Sequence, residues 1–411
     1  MGSDTRTIKA TCLCGDAAHN ITLPSNAFPI PTYFCSCNSC RHMTGTMFLS
    51  TAFLPPSYKP SSSLLDKLTS FKFSDRITQY FCKRCGCMML CFCVPKPSNT
   101  YRAESWDVMT GTLEAFDSVL EPKGYEYLHD TRDGGISDFM PTLNNRPLER
   151  WSHDIDTSSQ LPLYWRDPST SKESSNPTAT ARVPAHCKCN NITFYIARPS
   201  LQSAHATRSW PDLLIPHHSS RTPNSENTTT AHESWHLRAS ETKFLAGLCS
   251  CTSCRLASGQ EITAWAFIPL VDISLDAEGR VPLELSTVTG TGGTASTVGS
   301  LRTYRSSENA TRSFCSVCGA IVFFALSEPN QTAEKMLLDV AVGLLDAPEG
   351  ARAEDWLEWC TSRLSFREDA VGRADSLADG VEKGLREFEE RRRQQQGNGN
   401  EEGPRGEQQC S

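Results

Sequence analysis

Short stretches rich in β-branched and aromatic residues recur along the chain, and they predict strands rather than long helices. Ile77-Thr78-Gln79-Tyr80-Phe81 runs into Cys82-x-x-Cys85-Gly86, and Ile321-Val322-Phe323-Phe324 follows Cys315-x-x-Cys318-Gly319. Both suit half-buried strands flanking a tight turn, where glycine accommodates a positive φ. Cys87, Met89, Cys91 and Cys93 recur at even spacing, which places them on one face of a further strand. The three cysteines there read as small buried hydrophobes, because the second half of the chain has no equivalents. No apolar run approaches the roughly 20 residues that span a bilayer. Two stretches lose the pattern. Residues 151–182 are rich in Ser, Thr, Pro and Asp and are expected to form a disordered linker. From 371 to 411 Glu, Arg, Gln and Gly dominate, predicting a charged, largely disordered tail with at most a short helix about Arg391–Gln396.

Most of the 19 cysteines fall into two sets of identical order. The first is Cys12-x-Cys14, Cys35-x-Cys37-x-x-Cys40 and Cys82-x-x-Cys85. The second is Cys187-x-Cys189, Cys249-x-Cys251-x-x-Cys254 and Cys315-x-x-Cys318. Other features repeat with them. Asn20-Ile21-Thr22 returns as Asn191-Ile192-Thr193, Cys40-Arg41 with Gly45 returns as Cys254-Arg255 with Gly259, and Asp107-Val108-x-x-Gly111-x-Leu113 returns as Asp339-Val340-x-x-Gly343-x-Leu345. Shared order at separated places predicts two copies of one domain, over 6–150 and 183–368. The second copy spaces Cys189 far from Cys249, and its extra stretch (about 200–240) carries Pro211, Pro216, Pro223 and Asn227-Thr228-Thr229-Thr230, so it is expected to be a surface loop or partly disordered.

Composition narrows the compartment and the partners. Met1 to Ala10 hold no apolar stretch of the secretory kind, and short Cys-x-Cys and Cys-x-x-Cys pairs suit one tetrahedral ion better than framework disulfides, so a reducing, cytoplasmic setting is expected. Asn-x-Thr sequons such as those at Asn20, Asn191 and Asn227 are then incidental. The net charge of −7 argues against nucleic acid as partner. Cys410 stands next to last and is no prenylation box.

Two pairs of thiols make a closed four-thiolate zinc site, expected at Cys12, Cys14, Cys82 and Cys85 and again at Cys187, Cys189, Cys315 and Cys318. Each remaining trio, Cys35/Cys37/Cys40 and Cys249/Cys251/Cys254, leaves one zinc vertex open. Up to two Zn2+ per domain follow. An open, thiolate-rich zinc suits the capture of a substrate thiol as thiolate, which is a small fraction of a free thiol of pKa about 8.5 at neutral pH. The alternative is a fourth protein ligand. His42, two residues after Cys40, could serve in the first copy, but the second has Leu256 there. His232-Glu233-Ser234-Trp235-His236 fits H-E-x-x-H without a third ligand and reads as a chance match. Gly290-Thr291-Gly292-Gly293 reads as a turn, since no lysine follows.

The order of cysteine motifs, with Cys-Arg in the trio and the trailing Gly-x-Leu element, resembles the family of glutathione-dependent formaldehyde-activating enzymes and centromere protein V, over about residues 6–150 and 183–368. The resemblance implies a mainly β fold, a β-tent, in two tandem copies. It also implies a structural zinc on each four-cysteine set, a catalytic zinc on each trio, and glutathione as co-substrate, with Arg41 and Arg255 as candidates for a glutathione carboxylate. The implied reaction adds glutathione or a similar small thiol to formaldehyde or another small aldehyde, a carbon–sulfur lyase reaction run in reverse. A non-catalytic, zinc-stabilised interaction scaffold is the alternative. Two departures separate the copies: Arg312, where relatives carry arginine, is matched by Gln79 in the first, and Gly15 is matched by Asn190 in the second.

Overall fold

The computed structural model describes residues 4–95, 104–170, 181–218, 234–291 and 298–399. It is mainly β, as the strand-rich pattern predicts. In the first copy Thr5–Ala10 pairs antiparallel with His19–Pro24. Beside this hairpin lies an eight-stranded sheet in the order Glu149–Arg150, Leu120–Glu126, Ile30–Cys35, Leu49–Phe53, Ser105–Met109, Met88–Cys93, Ile77–Cys82, Leu68–Lys72. The second copy repeats the arrangement. Arg182–His186 and Thr193–Ala197 form the hairpin, and the large sheet runs Lys243–Cys249, Thr263–Pro269, Leu337–Ala341, Ile321–Leu326, Ala310–Cys315, Leu301–Arg305. In both, a later strand, Leu120–Glu126 or Leu357–Trp359, adds in parallel to the strand that ends in the trio's first cysteine. The central strands Ser105–Met109 and Leu337–Ala341 are buried at every position, because both faces of the sheet are covered.

The copies share one continuous hydrophobic core, so the boundary near residue 150 marks a repeat in sequence and strand order and not a division between two cores. Repeated residues also build the seam, and they do so reciprocally. Gly343 donates its N–H to Gly45 O (3.1 Å) and Gly111 to Gly259 O (3.0 Å); Lys188 donates to His42 O (2.9 Å) and Leu13 to Leu256 O (3.0 Å). Gly45 and Gly259 end matching helices, Asn38–Thr44 and Thr252–Ser258, each at φ 77°. A Cβ at Gly45 would collide with the Ile321 carbonyl, and one at Gly259 with the Met88 carbonyl. Glycine is required there twice over, for the left-handed turn and for the close approach of the other copy. Away from this axis, fully buried Arg352 of the second copy bonds Asp138 (2.9 Å) in the first and Glu354 (3.0 Å) beside it.

Three expectations are corrected. The tail does not run free from 371: Asp375–Gly399 is a helix whose Leu377, Ala378, Val381, Leu385 and Phe388 are buried. Phe388 meets Phe139 edge-on at 4.9 Å. Its apolar stripe is too thin to register against the surrounding charge, yet it suffices once a groove is offered. Residues 400–411, including Cys410, lie outside the described residues. The linker is ordered to residue 170, where Trp151 bridges Gln160, Tyr164 N–H bonds Asp138 Oδ1 (3.0 Å) and Arg166 pairs with Glu354; 171–180 lie outside the described residues. The insertion is no detached surface loop through residue 218. Ala206, Leu213 and Trp235 pack with Leu245, Phe267, Leu337 and Cys360 in a second small core; 219–233, with Pro223 and the Asn227–Thr230 run, lie outside the description. No helix of the described residues is long and apolar enough to cross a membrane.

Candidate metal centres and the cavity at the second trio

Strand ends deliver the four-cysteine sets. Cys82 and Cys315 are the last residues of Ile77–Cys82 and Ala310–Cys315, and Cys12 and Cys187 follow the first strands of the two hairpins. Each set of four sulfurs lies within 4.8 Å of one another. Cys14 Sγ stands 3.5 Å from both Cys12 and Cys82, and Cys189 Sγ stands 3.4 Å from Cys187 and 3.5 Å from Cys315. A zinc ion with Zn–S near 2.3 Å needs sulfurs about 3.8 Å apart, so both sets fit the ion with little movement. Backbone N–H groups support the sulfurs: Ala17 donates to Cys12 (3.4 Å) and Cys318 to Cys315 (3.4 Å). Gly86 and Gly319 take φ 80° and 83°, as the knuckle turn demands.

The trios are built alike. Cys35 and Cys249 end strands, Cys37 and Cys251 cap the helices that follow, and Cys40 and Cys254 lie in the first turn, donating N–H to the cap sulfur at 3.3 and 3.2 Å. Each trio's sulfurs lie within 4.8 Å of one another, and among the described residues no fourth His, Cys, Asp or Glu joins either group. The described cysteines are all free of disulfides. His42 turns away from its trio. Its Nδ1 pairs with His186 O (2.8 Å), its ring stacks on His186 at 4.0 Å, and burial, then the Arg41 charge, hold its pKa down at about 3. Three convergent thiols that no described side chain closes into a set of four suit a zinc ion with one exchangeable position.

The surroundings differ between copies. Beside the second trio a cavity of about 470 Å³ opens, walled by Trp265, Phe267 and Phe324 from the sheet, by Arg208, Trp210, His217 and His218 from the insertion, and by Phe366. Buried Arg312 directs Nη1 at Cys254 Sγ (3.6 Å) and lies over the Phe324 ring at 4.7 Å. Burial alone would lower its pKa, but the sulfurs of Cys254 and Cys251 overcome that and raise it. Asp339 pairs with Arg208 (2.6 Å), and burial pushes its carboxyl upward against that attraction. Strand register aligns Arg312, Phe324 and Asp339 in one row across three strands. The matching row in the first copy is Gln79, Cys91 and Asp107.

Arg41 and Arg255 are placed otherwise than expected. Arg41, 3% exposed, donates to Asn38 Oδ1 (2.8 Å) and reaches Gly343 O (3.5 Å), and Arg255 donates to Gly111 O and to Leu113 O (3.3 Å). Each guanidinium spans the seam to a backbone carbonyl of the other copy, an arrangement that serves the seam rather than an incoming carboxylate. His236 is buried with Nε2 on Ser203 O (2.9 Å), just before the strand Leu237–Arg238 and not on a helix; His232 and Glu233 lie outside the described residues. Gly290 closes the short helix Leu285–Thr289, and Gly292 and Gly293 lie outside the description. Reasoning from sequence missed Arg208, Trp210 and His217 as cavity walls. Trp210 and Trp235 were the available signal, since a solvated loop has little use for two tryptophans.

Comparison with known proteins adds one match. Residues 7–130, within the first copy, match the family model described as glutathione-dependent formaldehyde-activating enzyme. No curated protein and no solved structure matches the chain.

Proposed function

We propose that the protein joins a small thiol, glutathione or a relative of it, to formaldehyde or another small aldehyde, and that the second copy's trio carries the reaction. The observation behind this is three thiols with no fourth protein ligand among the described residues, at a cavity that also holds a buried arginine. The match of residues 7–130 supplies the reaction class. Cys249, Cys251 and Cys254 would hold a zinc ion, whose chemistry there would be to lower the pKa of a substrate thiol and keep its sulfur nucleophilic. Arg312 offsets the surplus negative charge of the thiolates and keeps a positive group where the aldehyde oxygen gains charge. Trp265, Phe267 and Phe324 exclude water, and Arg208 and the two histidines offer polar contacts to a substrate's carboxylates. As the new S–C bond forms, the carbonyl π bond breaks and the thiol's proton ends on oxygen, giving the S-hydroxymethyl product. The four-cysteine sets would hold zinc for the fold alone. A cytoplasmic setting fits both the free thiols and the glutathione pool.

Exchange-resolved NMR of glutathione and formaldehyde with the zinc-loaded protein tests the assignment. Interconversion well above the rate without protein is expected. A rate equal to the uncatalysed one, with zinc present, contradicts it.

A further inference from the structure

A third sulfur cluster lies in the first copy, outside both of its candidate zinc sites. Cys91 and Cys93 alternate along Met88–Cys93, so their side chains share a face, and Asp107 stands opposite Cys91 on the neighbouring strand. Cys91 Sγ lies 3.3 Å from Cys93 Sγ, which lies 3.5 Å from Asp107 Oδ2, and the three donor atoms fall within 4.8 Å of one another. Cys91 is 3% and Asp107 2% exposed. Two further buried polar atoms belong to the same face: Gln79 Oε1, opposite Cys91, and Ser105 Oγ, opposite Cys93, both without a hydrogen-bond partner among the described residues. In the second copy the cysteine positions are Phe324 and Leu326, and the cluster is replaced by an aromatic surface under Arg312.

Packing accounts for Cys87, which is fully buried with its thiol on Met88 O. It does not account for two thiols converging on a buried carboxylate with unsatisfied polar groups around them. A disulfide fits poorly as well. Residues two apart on a strand have Cα atoms about 6.6 Å apart, at the far end of the disulfide range.

We propose that Cys91, Cys93 and Asp107 form a further metal site, one that takes a thiophilic divalent ion of the zinc type and that the second copy lacks. Two thiolates and one carboxylate are a donor set suited to such an ion, and they leave it a net charge of −1. The Gln79 amide oxygen and the Ser105 hydroxyl are the buried polar groups on that face available to complete the coordination. The site is independent of turnover at the trios and stands or falls by metal binding alone.

Cadmium-113 NMR and metal counting on the full chain test it. Wild type is expected to show, besides the resonances of four- and three-sulfur sites, one resonance upfield of them, as a site with two sulfurs requires. The double variant Cys91→Phe/Cys93→Leu, which carries the second copy's residues, is expected to lose that resonance and one equivalent of bound ion. Asp107→Asn, of nearly equal size, should shift the resonance and weaken binding at least tenfold. No upfield resonance in wild type, or equal stoichiometry in wild type and a folded double variant, overturns the proposal.

Discussion

The two copies agree where the chain must fold and differ where a ligand would meet it. Both keep the knuckle cysteines, the strand order, the trios and the seam glycines. The contrast is concentrated in one row of three residues, Gln79–Cys91–Asp107 against Arg312–Phe324–Asp339, and in the insertion that walls only the second trio. The repeat keeps the scaffold's reciprocal contacts, while the surroundings of its two trios differ. A guanidinium over an aromatic ring stands beside one trio; the other is neighboured by further thiols.

The sharpest way to break this comparison is to attack the shared scaffold. Cys82→Ser and Cys315→Ser would each remove a ligand from a proposed structural ion, whose binding is worth on the order of 10 kcal/mol. Because the core is continuous, either change should unfold both copies in one transition, followed by calorimetry with zinc release. A surviving half with its own transition would mean two independent domains. Next comes the carboxy-terminal helix. Phe388→Ala empties a site against Phe139 and should cost about 3 kcal/mol, read from chemical denaturation. No loss would mean that the helix does not dock.

Much of this was legible in the sequence, and the limits are physical. Cysteine spacing within a knuckle is a short-range constraint, so the four-cysteine sets and trios could be assigned from residue order alone. Arg41 and Arg255 were misplaced because their partners, Gly343 and Gly111, belong to the other copy and only the seam brings them close. Asp107 was visible as part of a repeated motif, but strand pairing is what sets it opposite Cys91. The helix Asp375–Gly399 escaped notice because five buried apolar side chains among many charges carry little signal until the groove is known.

Swapping the distinguishing row sharpens the comparison. Arg312→Gln gives the second copy the first copy's residue and should lower kcat/KM for the thiol–aldehyde reaction about 100-fold, while metal content stays constant. Unchanged kinetics would remove the arginine from the account. A smaller difference separates the copies after their shared Ala-Phe-x-Pro stretch, where the first has Tyr58 and the second Asp272. Burial raises Asp272 to about 7, against the favourable pull of a Ser203 hydrogen bond and Arg182. The unfolded chain ionises this carboxyl near its ordinary value of about 3.9. Between those values the unfolded state binds fewer protons, so stability falls as pH rises, by about 1 kcal/mol from pH 6 to pH 8. Asp272→Asn should flatten that slope in denaturant titrations; an unchanged slope would assign it elsewhere.

The division between copies is tested most directly by comparing Cys251→Ser with Cys37→Ser, each zinc-loaded and folded, in the glutathione–formaldehyde exchange. Loss of the catalysed rate, by about 100-fold or more, is predicted for Cys251→Ser alone, with most activity kept in Cys37→Ser. The reverse pattern, or equal activity in both, would contradict a reaction seated at the second trio.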